Sequence, residues 1–289
     1  MTDQPRADAP DAPAGLYGAP VAPPTRPLPL RQMGIGELVD GAFKLYRRDW
    51  LALMGITAFV LVPVTFLQAW LTQSVAAAAA DPFADFDAVT GQIIVVTLVF
   101  VAIQLLIAQP FLVAAITKAA ADAYLGERVS IGRTYRFALS KLPAILWITI
   151  ITTVVTLLGF ILLIIPGIIA LVRLALAPAI LVVEDVRGTS AVRRSWNLTG
   201  GHAWRVLGTL FLAGLISSVG IAIVTLPTEF IAATMGPDGW FISTVGQVIA
   251  SVVTTPFSIL IIVLLYFDLR VRKEGYDIEV MSQELAPSS

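Results

Sequence analysis

The residue with most chemical potential in this chain is an arginine set in an apolar run. Arg173 stands inside IIALVRLALAPAILVV (168–183), and an ionisable group among residues that apolar marks a functional site by default. Gln104 and Gln109 are amides in another apolar run. With Arg173 they form a candidate intramembrane polar site, suited to a lipid phosphate or a transported solute. The competing reading is that Arg173 snorkels toward the nearer water face and the amides only bond neighbouring helices. A second group is basic and aromatic: Arg187, Arg193, Arg194, Trp196 and Arg205. These are candidates for gripping anionic headgroups, where each cation near the surface adds about 1 kcal/mol; setting membrane orientation alone would also account for them. Glu184-Asp185 could serve acid–base chemistry or balance Arg187 and its neighbours.

Catalytic chemistry has little else to draw on. There is one histidine, His202, and no cysteine, so disulfides, thiolate metal sites and cysteine nucleophiles are excluded. No Ser-His-Asp set, phosphate-cradling glycine loop or metal-ligand cluster is recognisable. No catalytic, cofactor-binding or metal-binding residue is therefore assigned, and no cofactor is expected. Net charge is −1, which gives no reason to expect nucleic acid.

The elements that must position these residues follow from composition. The chain has 289 residues, 57% apolar and 13% charged, with mean hydropathy +0.84. Soluble domains are nearer half apolar and a quarter charged. Apolar runs long enough to span ~30 Å of hydrocarbon cover 51–72, 92–117, 144–165, 206–227 and 241–267. The sixth, 168–183, is short, and Pro166-Gly167 before it predicts a tight turn, so 144–183 is expected to be a helical hairpin with a short or re-entrant second arm.

Positive charge fixes the orientation. Of 19 Lys and Arg, none lies in 73–91 or 228–240, which instead carry Asp81, Asp85, Asp87, Glu229 and Asp238. By the positive-inside rule both termini are cytosolic, which requires an even number of crossings. The fold class expected is all-α: a polytopic membrane protein of about six spans with three cytosolic amphipathic interfacial helices. Residues 1–30 hold 8 of the 18 prolines and few large apolar side chains, predicting a disordered cytosolic tail. Residues 31–275 form the membrane domain and 276–289 a short cytosolic tail.

The interfacial helices are expected at 34–50, 130–142 and 189–206, capped by Ser130 in the second and by Thr189 or Ser190 in the third. Phe43-Lys44-Leu45, Phe137-Ala138-Leu139 and Trp196-Asn197-Leu198 share an aromatic-x-Leu pattern, suggesting three repeats of interfacial helix plus hairpin.

Residues 26–50, 119–143, 182–206 and 264–279 resemble the glycerophosphoryl diester phosphodiesterase membrane-domain family. The likeness is carried chiefly by Glu184, Ala191, Arg194-Ser195-Trp196 and Leu198, and by Tyr266-Phe267-Asp268-Leu269-Arg270. It implies a multi-pass helical protein of the bacterial plasma membrane. It implies no phosphodiesterase activity, because the barrel domain that carries that chemistry in some relatives has no counterpart here. The expected function is that of a non-enzymatic scaffold or accessory factor in membrane or envelope homeostasis, with membrane lipids or a membrane protein as partner. The alternatives are a transporter or lipid flippase and a membrane-embedded lipid enzyme.

Overall fold

The computed structural model describes residues 31–78, 86–124, 129–186 and 188–275, and the elements among them are all helical. The tails expected at 1–30 and 276–289, and Arg187, lie outside the described residues. Among the described residues nine α-helices follow one another: α1 Ile35–Ala78, α2 Phe86–Ile103, α3 Gln109–Tyr124, α4 Ile131–Leu162, α5 Ile164–Leu174, α6 Ala177–Glu184, α7 Ser190–Leu198, α8 Ala203–Met235 and α9 Trp240–Glu274. Five helical stretches among the described residues are long and apolar enough to cross a membrane: Ile35–Ala77, Asp87–Ala123, Ile131–Leu162, Ile164–Glu184 and Ala203–Glu274. Their outward faces carry large apolar side chains; Phe59 and Phe230 are each 75% exposed. A water-soluble protein rarely tolerates such contiguous apolar surface.

The last stretch is folded on itself. Gly236, at φ 64°, opens a 3₁₀ turn through Gly239, after which α9 returns along α8. Gly246 faces Thr228, Gly220 faces Thr254, and the Ser217 and Ser258 hydroxyls are 2.6 Å apart. These pairs define an antiparallel register in which small residues let the backbones approach. A Cβ on Gly246 would overlap the Thr228 side chain. α1 runs antiparallel to α9 as well, with Tyr46 edge-on to Phe257 at 6.4 Å and Phe66 against Phe241 at 5.7 Å. Gln73 donates to the Pro237 carbonyl at 3.1 Å, joining the far end of α1 to the α8–α9 turn.

Local chemistry explains the irregularities. Asp49 departs from helical geometry (φ −121°, ψ 27°), so the first part of α1 is set off from the apolar part, as the boundary at Trp50 predicts. Between α2 and α3 a π-helical turn spans Gln104–Ala108, and the Gln109 N–H donates to Gln104 O, five residues back. Pro110 causes this: it has no N–H to give, and its ring would strike the carbonyl four residues earlier in a regular α-helix.

Several boundaries differ from expectation. Separate helices are expected over 130–142 and 144–165, but residues 131–162 form one helix, α4, with Pro143 inside it. The hairpin reverses at Leu163, which is extended (φ −165°, ψ 153°), not at Pro166-Gly167. Pro166 lies in the first turn of α5, where its missing N–H costs nothing, and Gly167 is there for packing: a Cβ on Gly159 would lie 2.9 Å from the Gly167 Cα. Neither Ser130 nor Thr189 makes a side-chain cap. Leu45 and Leu198 are both buried beside exposed Phe43 and Trp196, whereas Leu139 is exposed and the buried face of α4 is Thr134, Ala138, Ile145 and Ile148.

The core is densest toward the C-terminal end of α9. Leu264, Leu265, Tyr266 and Leu269 are fully buried there among α1, α3, α6 and α8. Tyr266–Arg270 reads in the sequence as an interfacial anchor, yet Tyr266, Phe267, Asp268 and Leu269 are all buried.

Candidate functional site

The charged end of the bundle is organised by the last turns of α9. Residues four apart on a helix share a face, and two such ladders project from α9 on nearly opposite sides: Asp268 with Arg272, and Tyr266 with Arg270 and Glu274.

Asp268 anchors the first. Its carboxylate is 0% exposed. It accepts from the Met33 N–H at 2.7 Å, from Arg205 Nε at 2.9 Å, and from Arg272 Nε at 3.1 and 2.9 Å. Both guanidinium groups also reach the Met33 carbonyl, Arg272 at 2.8 Å. One buried carboxylate thus ties the chain entering α1, the start of α8 and the end of α9. Just beyond, Glu37 accepts from the Gly34 N–H at 2.6 Å and pairs with Arg31. These two contacts, the backbone bond first, hold its carboxyl below the usual range.

The second ladder faces α6 and α7. Arg194 lies between two carboxylates, meeting Glu184 at 3.0 Å and Glu274 at 2.7 Å. Hydrogen bonds to Glu274 and then Glu184 push its guanidinium further above its ordinary range. The Tyr266 hydroxyl donates to Glu184 at 2.9 Å, and Arg270 joins Glu274 at 3.3 Å. Asp185, left-handed at φ 52°, ends α6 and pairs with Lys141 of α4. Glu184 and Asp185 are therefore both engaged with cations.

Arg173 is placed elsewhere than the sequence suggests. Its guanidinium lies over the Trp196 ring at 5.3 Å and donates to the Trp196 carbonyl at 3.2 Å, while its own carbonyl accepts from Ser195 at 2.7 Å. Lys273 donates to the carbonyls of Asn197 and Gly200 at the same end of α7, the Gly200 contact at 3.0 Å. Cations at a helix C-terminus satisfy its free carbonyls and its dipole. The principal neighbours of α5 are α4, α7 and α8, not the π-helical turn or α3. Arg173 is thus part of the charged end, and the polar site expected with Gln104 and Gln109 is not assembled. Gln104 and Gln109 meet instead through the backbone bond of the π turn.

The headgroup candidates divide. Arg194 and Arg205 pair with the internal carboxylates Glu184, Glu274 and Asp268. Arg193 and Trp196 face outward, on an open groove of about 670 Å³ lined by Thr189, Ser190, Val192, Arg193, Trp196 and Asn197. Lys44 and Arg47, which the sequence reading did not single out, are exposed on the same outward face of α1 as Phe43. Arg47 lies over the Phe43 ring at 5.9 Å, and neither Lys44, Arg47 nor Arg193 has an ion pair among the described residues. Asp268 was missed as an organising residue. The available signal was an acid inside an apolar run with arginines two and four positions later.

An all-helical bundle with membrane-length apolar helices and an internally paired charged end defines the class of protein. Residues 88–267 match the uncharacterised protein family UPF0259, and the chain belongs to that family. This overturns the resemblance to the glycerophosphoryl diester phosphodiesterase membrane-domain family. The residues that carried it, Glu184, Arg194 and the 266–270 segment, pair with one another to hold helix ends together. A bacterial location loses its support with that resemblance. No solved structure matches this chain.

Proposed function

We propose that this chain is a non-enzymatic, multi-pass membrane protein whose cytosolic surface holds anionic lipid headgroups, acting as a scaffold or accessory factor there. In this reading both termini are cytosolic. α1, the α2–α3 unit, α8 and α9 each cross, while the α4–α6 segment enters and leaves on one side, keeping the number of crossings even. The first part of α1 and α7 serve as the interfacial helices.

The observation that carries the reading is the sorting of cations. Arg194, Arg205, Arg270 and Arg272 are paired inward with Glu184, Asp268 and Glu274. Lys44, Arg47 and Arg193 stand outward beside the exposed aromatic rings of Phe43 and Trp196. Exposed aromatic rings next to cations that have no ion pair among the described residues suit an anionic membrane surface. Transport or lipid flipping through the polar site read from the sequence would bring Arg173 to Gln104 or Gln109, and Arg173 rests on Trp196 instead.

The test is native mass spectrometry of protein extracted from nanodiscs of mixed phosphatidylcholine and phosphatidylglycerol. Anionic lipid should be enriched over neutral lipid and released by salt. Substituting Lys44, Arg47 and Arg193 together by Gln removes about 3 kcal/mol at ~1 per cation, on the order of a hundredfold in affinity. Equal retention of both lipids, or retention unchanged in the triple variant, refutes the proposal.

A further inference from the structure

We infer that the α4–α5 hairpin does not cross the membrane but turns back within the hydrocarbon of the cytosolic leaflet, so that the full crossings number four. This inference rests on the cytosolic placement of the charged end proposed above.

The argument begins with depth. Arg173, in the last turn of α5, shares the C-terminal end of α7 with Lys273: the Arg173 guanidinium is beside Gly200, whose carbonyl accepts from Lys273. Arg173 therefore lies at the level of the charged end of α9. From Arg173 back to Leu163 is ten residues, about 15 Å at 1.5 Å per residue, half of the ~30 Å hydrocarbon core. Any inclination of α5 makes the tip shallower. α9 over Trp240–Lys273 is about 50 Å long by the same rise, and its other end is where Gln73 meets Pro237. The hairpin tip stops well short of that end. The longer arm, about 30 Å from Pro143 to Leu162, must then lie inclined to the bilayer normal.

Side chains at the tip agree. Ile161, Leu162, Leu163, Ile164 and Ile165 are all 68–72% exposed, and residues 157–172 contain no polar side chain. The α8–α9 turn, by contrast, exposes Glu229 and Asp238, and Asp87 is exposed at the start of α2. A turn built for the aqueous far side carries carboxylates here; this one carries only hydrocarbon. Its single non-helical residue, with Gly159 closed on Gly167, keeps the backbone bonded through the reversal: the Leu163 N–H donates to Gly159 O at 3.0 Å and the Gly167 N–H to Leu163 O at 3.3 Å. Non-aqueous surroundings demand that satisfaction. The hairpin is thereby a contact with the lipid of one leaflet, not a conduit.

The chain has no cysteine, so single replacements can be labelled without altering the background. Leu163→Cys, Asp238→Cys and Lys44→Cys are compared in right-side-out and inside-out vesicles with a membrane-impermeant maleimide. A nitroxide at position 163, and separately at 161, reports collision with oxygen and with a polar nickel chelate. Expected are labelling of Asp238→Cys from outside only, of Lys44→Cys from inside only, and of Leu163→Cys from neither, with high oxygen and low nickel accessibility at 161 and 163. Labelling of Leu163→Cys from outside, or high nickel accessibility at both tip positions, overturns the inference. If the Asp238 and Lys44 labels exchange sides while Leu163→Cys stays shielded, the orientation reading fails and a buried tip stands.

Discussion

Asp268→Asn removes one negative charge while leaving a side chain of the same shape in place. The carboxylate is 0% exposed, and Arg205 and Arg272 are only 18% and 23% exposed. The asparagine oxygen can still accept from Met33, but its amide nitrogen then faces two guanidinium groups that can only donate. Breaking a buried ion pair by removing one partner costs about 3–5 kcal/mol. The partial exposure of both arginines places this case near the lower end, about 3 kcal/mol. For a chain of this size each kcal/mol moves Tm by roughly 2–4 °C, so the variant should melt roughly 6–12 °C below the parent in the same lipid nanodisc. Because Asp268 joins three segments, hydrogen exchange should rise together in the start of α1, the start of α8 and the end of α9. In a double-mutant cycle, Arg205→Gln added to Asp268→Asn should cost less than the sum of the single changes, since one leaves the charge the other would have balanced. A variant melting within 2 °C of the parent, or strictly additive single changes, would refute the view that this carboxylate holds the charged end together.

Other substitutions separate internal cations from outward ones. Arg194→Gln leaves Glu184 and Glu274 without their shared partner and should cost about 1–3 kcal/mol, read as a lower Tm; Arg193→Gln, one residue away, should leave Tm within a degree while weakening retention of anionic lipid. Gly246→Ala forces α9 away from Thr228 and should destabilise by about 1–3 kcal/mol, whereas Gly36→Ala meets open space and should be neutral or slightly stabilising on thermal unfolding.

How much of this could be read beforehand depends on the range of the force involved. The apolar runs, the break before Trp50 and the expectation of a hairpin at 144–183 are local facts, fixed by consecutive side chains and by the cost of placing charge in hydrocarbon. The site was less legible. Arg173 is recognisable in the sequence as unusual, but its partner Trp196 is not: a period of 3.6 says which residues share a face, not which face meets which helix. Nothing near Arg194 or Arg205 in the sequence shows that they are paired, because their carboxylates come from residues 184, 274 and 268.

By itself, the order of residues determined a helical chain with membrane-length segments and its basic groups gathered between alternate segments, because hydrophobicity and charge act on every residue wherever the chain goes. Tertiary structure alone decided that Asp268 gathers Met33, Arg205 and Arg272, that Arg173 rests on Trp196, and that the α4–α5 hairpin ends about 15 Å from the level of its own arginine. Those outcomes depend on contacts between residues as many as 239 positions apart, and pairings over such distances are set by how the helices pack.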